Sequence, residues 1–194
     1  MSPSFRKVAL DSENCVYLAE LPHGDMPSEA RFEEFWQLHP PDFYDVEILG
    51  KRVKTPRWQQ AYNKTYQYTG SRNQALPVPG LLQPYWDWCR QEIDSRLNGL
   101  LLNWYDGRLG HYIGKHRDST VNMIEGAPIV TVSFREHRTF RLRPWRGSGY
   151  TDFTVRNGSV VVVPYDTNQT WTHEVPASKK LKGRRISLTI RAFD

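Results

Sequence analysis

From Arg185 to Arg191 polar and apolar side chains alternate without a break: Arg185, Ser187, Thr189 and Arg191 are separated by Ile186, Leu188 and Ile190. Successive strand side chains point to opposite faces, so the run predicts a strand with an apolar face and a face carrying both arginines. Such a strand needs a core on one side and a use for two guanidinium groups on the other. The chain around it has matching texture. Leu100 to Tyr105, Ile129 to Phe134, Thr139 to Leu142, Phe153 to Val155 and Ser159 to Val163 are further short strands punctuated by turns. Asn157-Gly158 reads as a hairpin turn between the last two.

Helices are expected earlier. Residues 28 to 39 have Ser28 as a cap, Phe32, Phe35 and Trp36 on one face, and Pro40-Pro41 as a stop. A second helix is expected from about Leu81 to Leu97, with Leu82, Trp86, Cys89, Ile93 and Leu97 on one stripe and Asn98-Gly99 ending it. Helices early and strands late indicate an α+β fold around a double-stranded β-helix, or jelly roll, with N-terminal helices. A jelly roll can gather side chains from several strands at one mouth.

At 194 residues the chain fits a single domain, 1–194. The formal charge of +5 is unevenly placed: Arg135, Arg138, Arg141, Arg143 and Arg146 form one cluster, and Lys179, Lys180, Lys182, Arg184 and Arg185 another. Such stripes attract polyanions, although a charge run is more often ordinary solvated surface. Cys15 and Cys89 lie far apart with no CxxC spacing, which suits a reducing, intracellular compartment and neither a disulfide framework nor a zinc site. No apolar run reaches the roughly 20 residues of a membrane span, and no signal-peptide pattern opens the chain. A cytoplasmic location, or a nuclear one in a eukaryote, and a monomeric state are expected.

His116-Arg117-Asp118 and the later His173 supply two imidazoles and a carboxylate. This donor set holds iron(II) while leaving positions open for substrate and O2. His116 and Asp118 are two apart, so an extended segment turns both to one face. The interval to His173 leaves room for several strands. Arg185 follows His173 as a neighbouring strand would. Two arginines facing such a metal suit a dicarboxylate such as 2-oxoglutarate, because the planar guanidinium pairs with a carboxylate through two bonds. Taken singly, each residue has a plainer reading: a solvated pair, a core histidine, two surface ion pairs.

Asn103-Trp-Tyr105, His116-Arg-Asp118, Thr131-Val-Ser-Phe134, Thr167-Asn168, Trp171-x-His173-x-x-Pro176 and Arg185 to Arg191 occur in the order seen in the AlkB family of nucleic-acid dealkylating oxygenases. The chain resembles that family over roughly residues 46 to 193, and most of all its members that act on double-stranded DNA. The resemblance implies Fe(II) bound by His116, Asp118 and His173. It also implies 2-oxoglutarate held at its distal carboxylate by Arg185, with Asn103 and Tyr105 helping, Arg191 near the iron-side end and Ser187 where the family often has Asn. Pro56 to Tyr62 with Tyr66-Gln-Tyr68-Thr-Gly70 looks like the family's recognition lid, placing a lid at 46–75 between an N-terminal extension, 1–45, and a catalytic jelly roll, 100–193. In that likeness Tyr68 stacks on a flipped base against His116, and Tyr66 offers a hydroxyl to the base or a phosphate. Ile48 and Leu49 are similar to a wedge that parts the duplex, with Lys51, Arg52 and Lys54 on phosphates.

The implied activity is oxidative dealkylation of alkylated DNA or RNA bases, releasing formaldehyde, succinate and CO2. A peptide or small-metabolite oxygenase and a silent nucleic-acid-binding module are the alternatives. One departure is visible. Repair members place an acid two positions after the H-x-D motif, where this chain has Thr120, so base recognition is expected to differ.

Overall fold

The computed structural model describes residues 3–48, 50–68 and 71–194; the side chains of residues 48, 67, 68 and 71 lie outside this description. The first half of the chain contains β1 (Arg6–Ala9), β2 (Cys15–Glu20), α1 (Glu29–Trp36), β3 (Asp45–Ile48), β4 (Lys51–Lys54), β5 (Trp58–Tyr62), β6 (Tyr66–Tyr68), β7 (Ser71–Asn73) and α2 (Gln83–Glu92). The second contains β8 (Gly99–Asp106), β9 (Ile113–His116), β10 (Ile129–Arg135), β11 (Arg138–Pro144), β12 (Thr151–Val155), β13 (Ser159–Val163), α3 (Tyr165–Thr170), β14 (Trp171–Val175) and β15 (Arg184–Arg191).

Two antiparallel sheets carry the architecture. A seven-stranded sheet runs β1-β2-β13-β10-β15-β8-β5, and a four-stranded sheet runs β12-β11-β14-β9. Their facing sides meet in an apolar cluster that includes Ile129, Phe140, Leu142, Val161, Val163 and Val175. The opposite face of the larger sheet is covered by α1 and α2. Phe32, Phe35, Tyr85 and Cys89 of these helices share one apolar cluster with Trp104 of β8 and with Ile186, Leu188 and Ile190 of β15. The alternation read from the sequence therefore sorts β15 as expected, with its aliphatic side chains toward the helices and its polar ones between the sheets.

Ser28 caps α1 by accepting from the Arg31 backbone N–H at 3.2 Å. The expected second helix is shorter than its apolar stripe. It stops at Glu92, and the Asp94 carboxylate then accepts from the backbone and guanidinium of Arg96 in a local turn. Leu97 is still fully buried, so the stripe continues through a turn instead of a helix. Gly99 does not end a helix but opens β8, where a Cβ would lie 2.5 Å from the Phe193 ring. The Asn157-Gly158 turn exists, with Gly158 at φ +83°, yet it is not a hairpin. It passes the chain from β12 in the smaller sheet to β13 in the larger one. Likewise β15 is not a neighbour of β14, because the two lie in different sheets.

Candidate active site

β9 and β14 pair so that His116 and His173 are directly opposed, with ring centroids 4.3 Å apart. Asp118 follows just beyond the end of β9. Its backbone N–H donates to Asn168 Oδ1, and Asn168 Nδ2 donates back to the Asp118 carbonyl, both at 3.0 Å. This reciprocal clip from α3 fixes the loop. One ligating atom from each of His116, Asp118 and His173 lies within 4.8 Å of the others.

The donor chemistry fits a divalent metal. Burial pushes the His116 imidazole down to about 4 and His173 well below its ordinary value, so both rings are neutral at pH 7 and keep a lone pair. His116 Nδ1 lies 2.8 Å from the Gly114 carbonyl, which identifies Nδ1 as the protonated nitrogen and leaves Nε2 for the metal. Phe140 stacks on the His173 ring at 5.6 Å and shields it.

The larger sheet forms the opposite wall. Arg185 is 1% exposed; its Nη2 donates to Ser133 Oγ at 2.8 Å, while Nε and Nη1 have no acceptor among the described residues. Its guanidinium lies 4.9 Å from the Tyr105 ring centroid. Arg191 reaches the metal group directly: Nε and Nη2 donate to Asp118 Oδ2 at 2.9 and 2.5 Å, and Nη1 is left over. Buried donors without acceptors are costly, so this wall is built for an anion with several oxygens. A dicarboxylate such as 2-oxoglutarate fits that need. Asn103, Tyr105, Arg185, Ser187 and Arg191 line one cavity with His116, Asp118 and His173.

Beside this cavity lies a second recess, with Asp118 in common and Tyr66, Arg72, Ser119, Val121 and Phe193 around it. Tyr66 is buried, packing edge-on to Phe193 and beneath the Arg191 guanidinium at 4.5 Å. Thr120 does not line the recess, although its neighbours do. β6 and β7 form one hairpin beside the recess, and β3 with β4 forms another that packs against β7. Trp58–Tyr62, expected in a lid, is the edge strand of the seven-stranded sheet. Lys51, Arg52 and Lys54 are exposed on β4. Leu49 and the side chains of Ile48 and Tyr68 lie outside the described residues.

The basic stripe between 135 and 146 is mostly engaged within the protein. Arg138 is 2% exposed and donates to the carbonyls of His111 and Pro176. Arg135 pairs with Glu29, Arg141 with Asp152 and Arg143 with Glu174. Sequence reasoning assigns no individual role to Asn168 or Ser133, and places Arg57 and Gln59 only within the expected lid. Asn168 and Ser133 lie inside recognisable motifs, whereas the partners of Arg57 are visible only once β5 and β8 are paired.

The 2OG-Fe(II) oxygenase superfamily model matches residues 34–191. Human DNA oxidative demethylase ALKBH2 is 27% identical over 97% of this chain and 77% of that protein. The bovine protein of the same name is 30% identical over 75% of this chain and 56% of that protein. Among solved structures, OsALKBH1 superposes with a TM-score of 0.61 at 14% identity, covering 96% of this chain and all of that one. An oxidoreductase of the 2OG-Fe(II) oxygenase family from Burkholderia pseudomallei gives 0.53 at 16% identity over 84% and 78%. These two likenesses concern the fold.

Proposed function

The chain belongs to the 2OG-Fe(II) oxygenase superfamily, and from that membership we propose that it oxidatively removes alkyl groups from nucleobases in DNA. The observation that carries this reading is one cavity that joins two imidazoles and a carboxyl group to buried arginine donors lacking acceptors among the described residues. The DNA substrate is drawn from the ALKBH2 relatives.

When bound, Fe(II) and 2-oxoglutarate supply O2 activation, yielding succinate, CO2 and a hydroxylated N-linked carbon whose hemiaminal breaks down to formaldehyde and free base. His116, Asp118 and His173 hold the metal. Arg185, with Asn103, Tyr105 and Ser187, holds the cosubstrate. Arg191 orients Asp118 and lies at the metal end. Tyr66 and Tyr68 belong to the base-binding side, Ile48 and Leu49 to the duplex wedge, and Lys51 and Arg52 to the phosphates. The hairpins β3–β4 and β6–β7, without the core strand Trp58–Tyr62 between them, serve as the recognition lid of a single catalytic domain, which acts as a monomer in a reducing compartment.

The test is mass spectrometry of alkylated DNA and RNA oligonucleotides after incubation with Fe(II), 2-oxoglutarate and protein. The expected result is loss of the alkyl mass from DNA with matching succinate. Loss from RNA alone overturns the DNA assignment. Succinate formation that no oligonucleotide stimulates favours a peptide or small-metabolite substrate.

A further inference from the structure

On the cavity face of the seven-stranded sheet, Gln59, Asn103, Ser187 and Ser133 occupy directly opposed positions on β5, β8, β15 and β10. They form a polar row across four strands. Arg185 meets one end of it through Ser133. Arg57 meets the other: Nε donates to Asn103 Oδ1 at 2.7 Å and Nη2 to Gln59 Oε1 at 3.1 Å. Arg57 is 5% exposed and lines the same cavity as the metal group.

A guanidinium can only donate. The Asn103 atom facing Arg57 is therefore its amide oxygen, and the amide NH2 must be directed elsewhere. Asn103 is itself 3% exposed and lines the cavity. Its NH2 is thus the group available to an anion there.

We propose that Arg57 is a positioning residue for 2-oxoglutarate, locking the Asn103 amide so that it presents its NH2, and not its oxygen, to a cosubstrate carboxylate. This rests on the cosubstrate reading above. Without Arg57 the amide is free to turn, and its oxygen would then repel the carboxylate it should bind. Gln59 accepts the second bond and keeps the guanidinium in plane.

The experiment is a double-mutant cycle on the full chain, reading 2-oxoglutarate affinity by calorimetry with Mn(II) in place of Fe(II). Arg57→Met and Asn103→Ala should each weaken binding about tenfold, the scale of one hydrogen bond to a charged group. The double variant should bind no more weakly than Asn103→Ala alone. Losses that multiply, or an unchanged Arg57→Met, would overturn the proposal. Mn(II) affinity should hold throughout.

A second variant separates positioning from simple support of the fold. Asn103→Asp keeps an oxygen for Arg57 and strengthens that contact, but offers no donor to the cavity. Binding should fall while the melting temperature holds; retained binding would overturn the role. If the parent chain itself does not bind 2-oxoglutarate, the cosubstrate reading fails, an outcome distinct from failure of the cycle.

Discussion

Replacing Arg185 with Met should make the ligand-free protein more stable and the enzyme worse. Arg185 is fully buried and pairs with no carboxylate among the described residues; burial lowers its pKa, the mark of a charge held at a cost. Methionine retains much of the volume and removes the charge, giving up the Ser133 bond and the contact with Tyr105. Relief of a buried, unpaired charge should outweigh those losses by about 1–2 kcal/mol. At roughly 2–4 °C per kcal/mol for a chain of this size, the melting temperature should rise by several degrees.

Cosubstrate binding should move the other way. Two charge-assisted hydrogen bonds at about 1.5–3 kcal/mol each correspond to a hundredfold loss or more. The assay is thermal unfolding with Mn(II), with and without 2-oxoglutarate. At a hundred times its dissociation constant the ligand should stabilise the parent by about 2.7 kcal/mol and leave the variant nearly unmoved. A variant that melts lower than the parent without ligand, yet keeps the ligand-induced shift, would refute the reasoning.

Asp118→Asn should abolish 2-oxoglutarate turnover with the fold kept, whereas Asp118→Ala should also lose about 3–5 kcal/mol of stability by stranding Arg191, read by denaturant titration. His116, held at about 4, and His173, also lowered by burial, bind fewer protons in the metal-free folded state than in the unfolded chain below about 6.5. Asp118, pushed up to about 7 by burial, offsets one of the two. The stability of the metal-free protein should therefore fall as pH drops through that window, and His116→Gln should flatten the dependence seen in denaturation midpoints. Gly99→Ala should cost about 1–3 kcal/mol through its clash with Phe193, with Phe193→Leu recovering part in thermal melts. Neutralising Lys51, Arg52 and Lys54 should flatten the salt dependence of oligonucleotide binding, while Arg141→Gln, which removes a residue already paired with Asp152, should not.

Much of the site was legible because its residues sit on period-two strands. The alternation in β15 placed Arg185 and Arg191 on one face and Ile186, Leu188 and Ile190 on the other before any partner strand was known. What escaped was pairing over distance. The sequence could not say that Arg57 would meet Asn103, since that contact depends on β5 joining β8 in one register. Nor could spacing separate β14 from β15, because a jelly roll sends successive strands to opposite sheets. The helix ending at Glu92 falls short of its stripe for a related reason: Leu97 reaches the core by tertiary packing, which mimics helical periodicity. Arg141 and Arg143 of β11 looked like free surface charge because their acidic partners lie on other strands.

The clip between Asn168 and the Asp118 backbone bears on the selection of the metal. It holds the loop of one ligand through main-chain atoms, independently of whether the carboxylate is occupied. A coordination sphere assembled in advance has little left to order when an ion arrives, so capture need not wait for the loop. The same stiffness resists ions that demand other angles or a larger shell. Discrimination among divalent cations of similar affinity for nitrogen and oxygen donors then falls to the rigidity of the frame, two sheets and a short helix, more than to the donors themselves.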